Sequence, residues 1–317
     1  MSGAENEGRT VNSPVPPIVA IVGATASGKT ELSLGLAEAL GGEIVNSDAM
    51  QFYRGMDIGT AKAPEAERRG IPHHMLDLLD ITEPASVGDF QARARAVMAE
   101  VRGRGRVPIL VGGSGLYNRA LLDEFDFPAT DAGVRARLEA ALEADGSAAL
   151  HWRLAHLDPA AAEVIKPENG RRIVRALEVI ELTGEPFSAR LPEQTYRDPR
   201  TIQIGVDIDR STLAMRIGQR VDAMFDNGLI EEVRSLLEQG LEQSRTARMA
   251  IGYREAVCVL RGEMTDSEAR ERTASATRRF ARRQDAWFRK DPRVVWVAYD
   301  DPDRVGNALA AVRTLGA

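Results

Sequence analysis

Gly23, Ala24, Thr25, Ala26, Ser27, Gly28, Lys29 and Thr30 carry the spacing G-x-x-x-x-G-K-[ST]. The apolar run Ile18–Val22 precedes them, and Leu32, Leu36 and Leu40 follow at helical spacing. In a strand–loop–helix setting this spacing builds an anion cradle. Backbone N–H groups and a helix N-terminus point at a phosphate, Lys29 adds positive charge, and the Thr30 hydroxyl suits Mg²⁺. Many phosphates fit such a loop, so it names an anion and not a reaction.

Other residues could act beside it. In "IVNSDAMQFYRGMDIGTAK", Asp48 follows a strand; a carboxylate there can hold Mg²⁺, accept a proton or cap the next turn. In "PILVGGSGLYNRAL", Ser114 stands after two glycines, either as a helix cap or as a hydroxyl facing the reacting groups. "GIPHHMLDLLD" offers His73, His74, Asp77 and Asp80, but adjacent residues of a strand point to opposite faces, which favours structural roles. Arg171, Arg172 and Arg175 project from one helix, as solvated charges or anion contacts. Between Arg270 and Arg293 basic residues far outnumber Glu271, Asp285 and Asp291, and Phe280, Trp287 and Phe288 are interleaved with them. Helical spacing assigns these aromatics to the core and leaves the arginines free for a phosphate backbone.

Elements must position these groups. Strands are predicted over Ile18–Val22, Glu43–Asn46, His74–Leu79, Val107–Val111, Thr201–Val206 and Val294–Val297. Between them lie helical patterns over Lys29–Leu40, Val87–Arg102 and Ser114–Leu122. This alternation predicts an α/β fold with a parallel sheet, whose ligands gather at the strands' carboxyl ends. Gly23–Thr30, Asn46–Asp48 and Gly112–Ser114 should therefore meet at one mouth.

The strand pattern stops after Phe127. Asp131 can cap a helix bearing Val134, Leu138 and Leu142, with Gly146 as its stop, and Pro159 can open a short helix. A further helix buries Ile173, Leu177 and Ile180 and ends at Gly184. The expected organisation is a disordered tail over 1–16, a core domain over 17–128, an all-helical insertion over 129–198, and the rest of the core with a basic helix over 199–317.

Composition narrows the classes further. The chain has 317 residues, 44% hydrophobic and 28% charged, as in ordinary globular proteins. A single cysteine, Cys258, rules out a disulfide framework and a cysteine zinc site. No signal peptide or membrane span is legible, so a cytoplasmic protein is expected, without membrane contact. The formal net charge of −6 argues against indiscriminate nucleic-acid coating but leaves room for a local basic surface.

Together the segments "GATASGKT", "NSDAMQFYRGMDIGTAK", "GIPHHMLDLLD", "PILVGGSGLY", "RRIVRALEV", "AIGYRE" and "RRFARRQDAWFR" resemble the tRNA dimethylallyltransferase (isopentenyl-tRNA transferase) family, bacterial type. They run in the family's order from about Ile18 to Val297. The resemblance implies a P-loop NTPase-like core with a helical clamp, acting as a monomer with Mg²⁺. It implies transfer of a dimethylallyl group from dimethylallyl diphosphate to N6 of the adenosine adjacent to a tRNA anticodon. Gly23–Thr30 would hold the diphosphate, with Thr30 on the metal. Asp48 would be the general base, and Lys29, Ser114 and Arg135 would complete the reaction centre. The anticodon stem-loop would be touched by Asp48, Ala49, Met50, Gln51, Ser114, Arg135, Arg171, Arg172, Arg175, the Met249–Arg254 stretch with Gly252, Tyr253 and Arg254, and Arg282, Arg283, Gln284 and Arg289. The family commonly has Thr where Ser114 and Ala286 stand; the first change keeps the hydroxyl, the second removes it.

That chemistry suits the residues. Adenine's exocyclic amine is a weak nucleophile, so a base at Asp48 helps, and the leaving diphosphate needs the loop amides and Lys29. The target base must leave its stack at a cost of a few kcal/mol, which arginine–phosphate contacts can offset. A P-loop kinase of a small nucleotide or metabolite is the nearest alternative, and it has no need of the basic helix. A nucleotide-switched RNA-binding protein would need no base at Asp48. ATP phosphates fit the same amides, so ATP is expected to bind weakly.

Overall fold

The structure is a computed structural model that describes residues 15–124, 130–188 and 194–316. Of the expected tail over 1–16 only Val15 and Pro16 are described; their carbonyls accept from Arg200 and Arg102. The expected boundary at 128 falls outside the described residues.

Six strands form one all-parallel sheet: β1 (Ile18–Val22), β2 (Gly42–Asn46), β3 (His73–His74), β4 (Val107–Val111), β5 (Thr201–Asp207) and β6 (Val294–Ala298), in the order β3-β2-β4-β1-β5-β6. β1 lies near the centre because IVAIV is apolar on both faces and can be covered on both. Val19 and Ile21 join Leu32 and Leu36 of α1 (Lys29–Leu40) and Val312 of α11 (Arg304–Arg313). Ile18, Ala20 and Val22 join Phe90 and Met98 of α2 (Val87–Gly103) and Leu121 of α3 (Gly115–Leu122). Alternation along the strand thus builds one core on each face.

Register then sets the mouth. Ile21 pairs with Val111, and Val111 pairs with Asn46. The loops after β1, β2 and β4 therefore leave the sheet side by side at one level, and the chain from Asn46 to Asp48 reaches the phosphate loop. The expected strand His74–Leu79 shortens to His73–His74. Met75 and Asp77 adopt positive φ, 63° and 54°, and the amides of Leu78 and Leu79 turn to the Phe52 carbonyl.

A third core joins α7 (Arg210–Asp226), α8 (Leu229–Glu238), α9 (Tyr253–Leu260) and α10 (Asp266–Phe288) around Tyr53 and Tyr253. The described residues up to Asp123 and from Tyr196 onward form one compact unit, and Glu124–Thr195 form another.

The second unit contains α4 (Ala132–Leu157), α5 (Pro159–Val164) and α6 (Gly170–Thr183), around a core of its own centred on Leu138, Leu154, Ile173 and Leu177. Asp131 and Asp158 cap α4 and α5, each accepting a backbone N–H. Gly146, non-helical at φ 80°, ψ 165°, ends the first helical stretch of α4 as expected, and a second stretch follows it directly across a kink. Among the described residues no helix is long and apolar enough to cross a membrane.

Candidate active site

The phosphate loop is shaped by backbone that side chains resist. Gly28 takes φ 100° before α1, and Ala26 takes φ 63° despite its Cβ. Strain of this kind is found where function over-determines a backbone. Lys29 folds back into the loop, its Nζ donating to the carbonyls of Gly23 (3.1 Å) and Ala24 (2.6 Å). Burial, with repulsion from Arg220, pushes the Lys29 ammonium down to about 7, against the attraction of Asp48.

Asp48 caps a short turn over Ala49–Phe52, its Oδ1 accepting from Met50 N at 3.0 Å. Desolvation raises its carboxyl pKa, opposed by the Met50 N–H and by the charges of Lys29 and Arg220. Asn46 fixes its backbone: Asn46 Oδ1 accepts from Asp48 N (3.0 Å), and Nδ2 donates to the carbonyls of Asp48 (3.1 Å) and Met75 (3.0 Å). Ser47 Oγ donates to Asn118 Oδ1 (2.8 Å), whose amide reaches the Gly112 carbonyl (3.3 Å). A Cβ on Gly112 would meet Ser47 Oγ at 2.0 Å, so the loops after β2 and β4 require a glycine to approach this closely.

Lys29, Thr30, Asp48, Gln51, Gly112, Gly113, Arg220, Phe280 and Gln284 line one cavity of about 110 Å³. A wider opening of about 840 Å³ lies along Gly28, Glu31, Arg69 and Arg216 and shares Lys29, Thr30 and Arg220. A partly buried base candidate, an anion loop and a cationic side chain thus line one cavity, and the second cavity shares Lys29, Thr30 and Arg220 with it.

This geometry has close relatives. A profile of the IPP transferase family matches residues 51–291. The chain belongs to the IPP transferase family. It is 67% identical to a tRNA dimethylallyltransferase of a Nocardioides species, over 93% of this chain and 96% of that one. It is 56% identical to a tRNA dimethylallyltransferase of Salinispora arenicola, over 93% and 86%. Among solved structures it resembles a tRNA isopentenylpyrophosphate transferase of Bacillus halodurans (TM-score 0.68, 40% identity, 95% of each chain). It also resembles a eukaryotic dimethylallyltransferase acting on tRNA (TM-score 0.79, 26% identity, 94% of this chain and 78% of that one). The fold is that of P-loop NTPase-like members of the family.

The structure brings Lys29, Thr30, Asp48, Gln51 and the first two glycines of the GGSG turn, Gly112 and Gly113, to one cavity, with Ala49 and Met50 in the turn that follows Asp48. Ser114 stands next to Gly113 at the N-cap of α3 and makes no side-chain cap bond. Arg135 and Arg175 lie in the second unit, both bonded to the buried Glu178 carboxylate, while Arg171 and Arg172 are exposed beside them.

Several expectations need correction. Phe280 and Trp287 are 36% and 46% exposed, not core; Phe280 lines the cavity and the Trp287 indole covers Gly115. Only Phe288 of the three is buried. Gly252 and Tyr253, expected at the RNA, are buried, and the Tyr253 hydroxyl donates to Glu232 at 2.6 Å. Gln284 is buried too; its Oε1 accepts from Thr25 N (2.8 Å) and its Nε2 donates to the Gly113 carbonyl (2.9 Å). It braces the phosphate loop. Arg289 is already ion-paired to Asp207 and Asp285 and lies over the Trp296 ring at 3.9 Å. Arg254, Arg282 and Arg283 are exposed.

Sequence reasoning missed Arg220, Glu232 and Lys62. Glu232 accepts the amides of Asp57, Ile58 and Gly59 (3.1, 2.6 and 3.2 Å), which turns Thr60 and Ala61 toward the cavity. Lys62, buried, joins Asp57, Asp77 and the Tyr53 carbonyl, tying the segment after β2 to the one after β3. A charged residue that turns inward carries no periodic signal of its own. The presence of Arg216 and Arg220 four apart on α7 is the one hint the chain offers for Arg220.

The residues also fit a phosphate-borne Mg²⁺. Among the described residues no cluster of three or more His, Cys, Asp or Glu could cage a metal. Mg²⁺ needs none when substrate phosphates and waters supply most ligands. Thr30, exposed on the first turn of α1 and lining the cavity, is the protein oxygen available for it.

Proposed function

We propose that this chain transfers a dimethylallyl group from dimethylallyl diphosphate to N6 of the adenosine beside a tRNA anticodon. The observation that carries this reading is the shared cavity, with Asp48 on one wall and Lys29, Thr30 and Arg220 on another. The amine nitrogen attacks the allylic carbon, the carbon–oxygen bond to the diphosphate breaks, and Asp48 takes the amine proton. Asp48 is suited to that task because desolvation raises its pKa toward the working pH. Lys29, Arg220 and the loop amides hold the charge that develops on the leaving oxygens. Mg²⁺ on Thr30, brought with the diphosphate, would neutralise further phosphate charge. Phe280, at the cavity wall, offers an aromatic edge to an extruded base. Arg282 and Arg283 on α10 and Arg171 and Arg172 on α6, all exposed, would supply the backbone contacts that offset extrusion.

Mass spectrometry of tRNA incubated with the protein, dimethylallyl diphosphate and Mg²⁺, without ATP, tests the reading. A gain of one dimethylallyl group on one adenosine is expected. Phosphoryl transfer from ATP to a small acceptor, with tRNA unchanged, would refute it and favour a kinase.

A further inference from the structure

A second basic site lies apart from the cavity. Arg254 of α9 and Arg272 and Arg279 of α10 surround a pocket of about 290 Å³, floored by Cys258 and Met264 and edged by Ser275. None of the three guanidiniums forms an ion pair among the described residues, although neighbouring arginines do. Arg270, on the same helix, is paired with Asp222, Asp226 and Asp266, and Arg289 with Asp207 and Asp285. The nearby carboxylates are occupied otherwise: Glu255 accepts from Gly252 N, and Glu268 accepts from the amide and hydroxyl of Thr265. Arg279 donates to Ser275 Oγ at 2.8 Å, which fixes one fork of the set.

Three unpaired guanidiniums around one hollow repel one another and present planar N–H donors suited to phosphate. Glu255, which also lines the pocket, sets one carboxylate against the three guanidiniums, so the hollow keeps a positive excess that suits an outside anion. The hollow's floor of thioether and thiol suits the sugar of a nucleic-acid backbone beside that phosphate. Its position suggests which part of the backbone. Arg279 and Arg272 stand five and twelve residues before Gln284, the residue that touches the phosphate loop, so the pocket spans about 8–18 Å along the helix from that contact. We propose that this pocket seats a backbone phosphate of the RNA stem, distant from the reacting base and read without regard to sequence. The proposal rests on the RNA-modifying reading above, which does not assign Arg272, Ser275 or Arg279 any role.

The test is an RNA-binding titration across salt concentrations with Arg272→Gln, Arg279→Gln and the double variant. The logarithmic salt slope should fall by about 0.7–0.9 for each phosphate that is no longer neutralised. Prenyl transfer at saturating RNA should keep its wild-type rate. Arg313→Gln, an exposed arginine on α11, makes the same charge change and should leave the slope alone. Shortening the stem of an RNA hairpin base pair by base pair should abolish the difference between variant and wild type. Inorganic tripolyphosphate distinguishes a free-anion site: it should compete with RNA only weakly.

An unchanged slope in the double variant would overturn the proposal. So would a slope change that persists with the shortest hairpin, or tight tripolyphosphate binding lost in the variants while RNA binding is kept. If the wild type modifies no RNA yet the slope still falls with the stem present, the pocket stands and the prenyl-transfer reading falls. Normal transfer with an unchanged slope fails the pocket alone.

Discussion

Replacing Asp48 with Asn separates the carboxylate's chemistry from its structural work. Asn keeps an oxygen where Oδ1 accepts from Met50 N, so the cap, worth about 1 kcal/mol, survives. Asn46 grips only the backbone of residue 48, so the turn should hold its place. What disappears is the proton acceptor, and general-base loss slows a reaction by about 10²–10⁴. That range corresponds to about 2.7–5.5 kcal/mol of barrier. The pKa direction adds an independent sign. A carboxyl raised above 3.8 by desolvation favours the folded state most at low pH, and that contribution is lost as pH rises through the raised value. At neutral pH the ionised Asp48 is therefore a burden, and Asp48→Asn should be as stable as wild type or more so. Below the raised pKa the base is protonated, so wild-type kcat/KM should fall on that acid limb and the variant should lose the limb. Single-turnover transfer by rapid quench, RNA affinity and thermal unfolding measure the three effects. A wild-type transfer rate in the variant would show that Asp48 is a cap and no more, and the mechanism would be wrong.

Three further substitutions test the remaining parts. Lys29→Ala should raise KM for dimethylallyl diphosphate and lower kcat, because Lys29 would stabilise the leaving group; steady-state kinetics with unchanged kcat would reduce it to a binding residue. Ser114→Thr should be tolerated and Ser114→Ala should impair turnover with little loss of melting temperature, since the side chain makes no cap bond; equal activity of Ala and wild type would remove the hydroxyl from the chemistry. Gln284→Leu strands the Thr25 N–H and the Gly113 carbonyl, at about 1–3 kcal/mol for each buried group left unpaired. It should lower stability and raise the donor KM while leaving RNA affinity intact, and weakened RNA affinity with an unchanged donor KM would make Gln284 an RNA contact after all.

The sheet and the mouth were legible because their signals are local. IVAIV, PILV and the G-x-x-x-x-G-K-T loop each announce an element within a few residues, and parallel register then forces their ends together. The misreadings share a different cause. Tyr253 and Gln284 were named by the family resemblance within arginine-bearing segments, and a motif does not say which of its side chains turn inward: Tyr253 reaches Glu232 of α8, and Gln284 reaches the backbone at Thr25 and Gly113. Phe280 and Trp287 failed for the converse reason. Apolar residues on α10 cover the cavity wall and the backbone at Gly115, surfaces that spacing along a single helix does not reveal. Glu232 was illegible because its partners are three successive backbone amides some 170 residues away in the chain.

The division of labour on α10 explains how an acidic protein can act on RNA. Ala269, Thr273, Ala281, Gln284 and Phe288 face inward, and Gln284 fixes Thr25 and Gly113, two backbone points of the donor site. Arg282 and Arg283, next to Gln284, are exposed on the same helix. The net charge of −6 repels RNA from most of the surface, so a basic stripe on one helix sets orientation as well as affinity. Because the helix that carries these arginines also braces the phosphate loop, an RNA backbone seated on them would be registered against a bound diphosphate by a rigid element. Registration of that kind is what a weak nucleophile needs, since alignment of the amine with the allylic carbon contributes to the rate independently of any base.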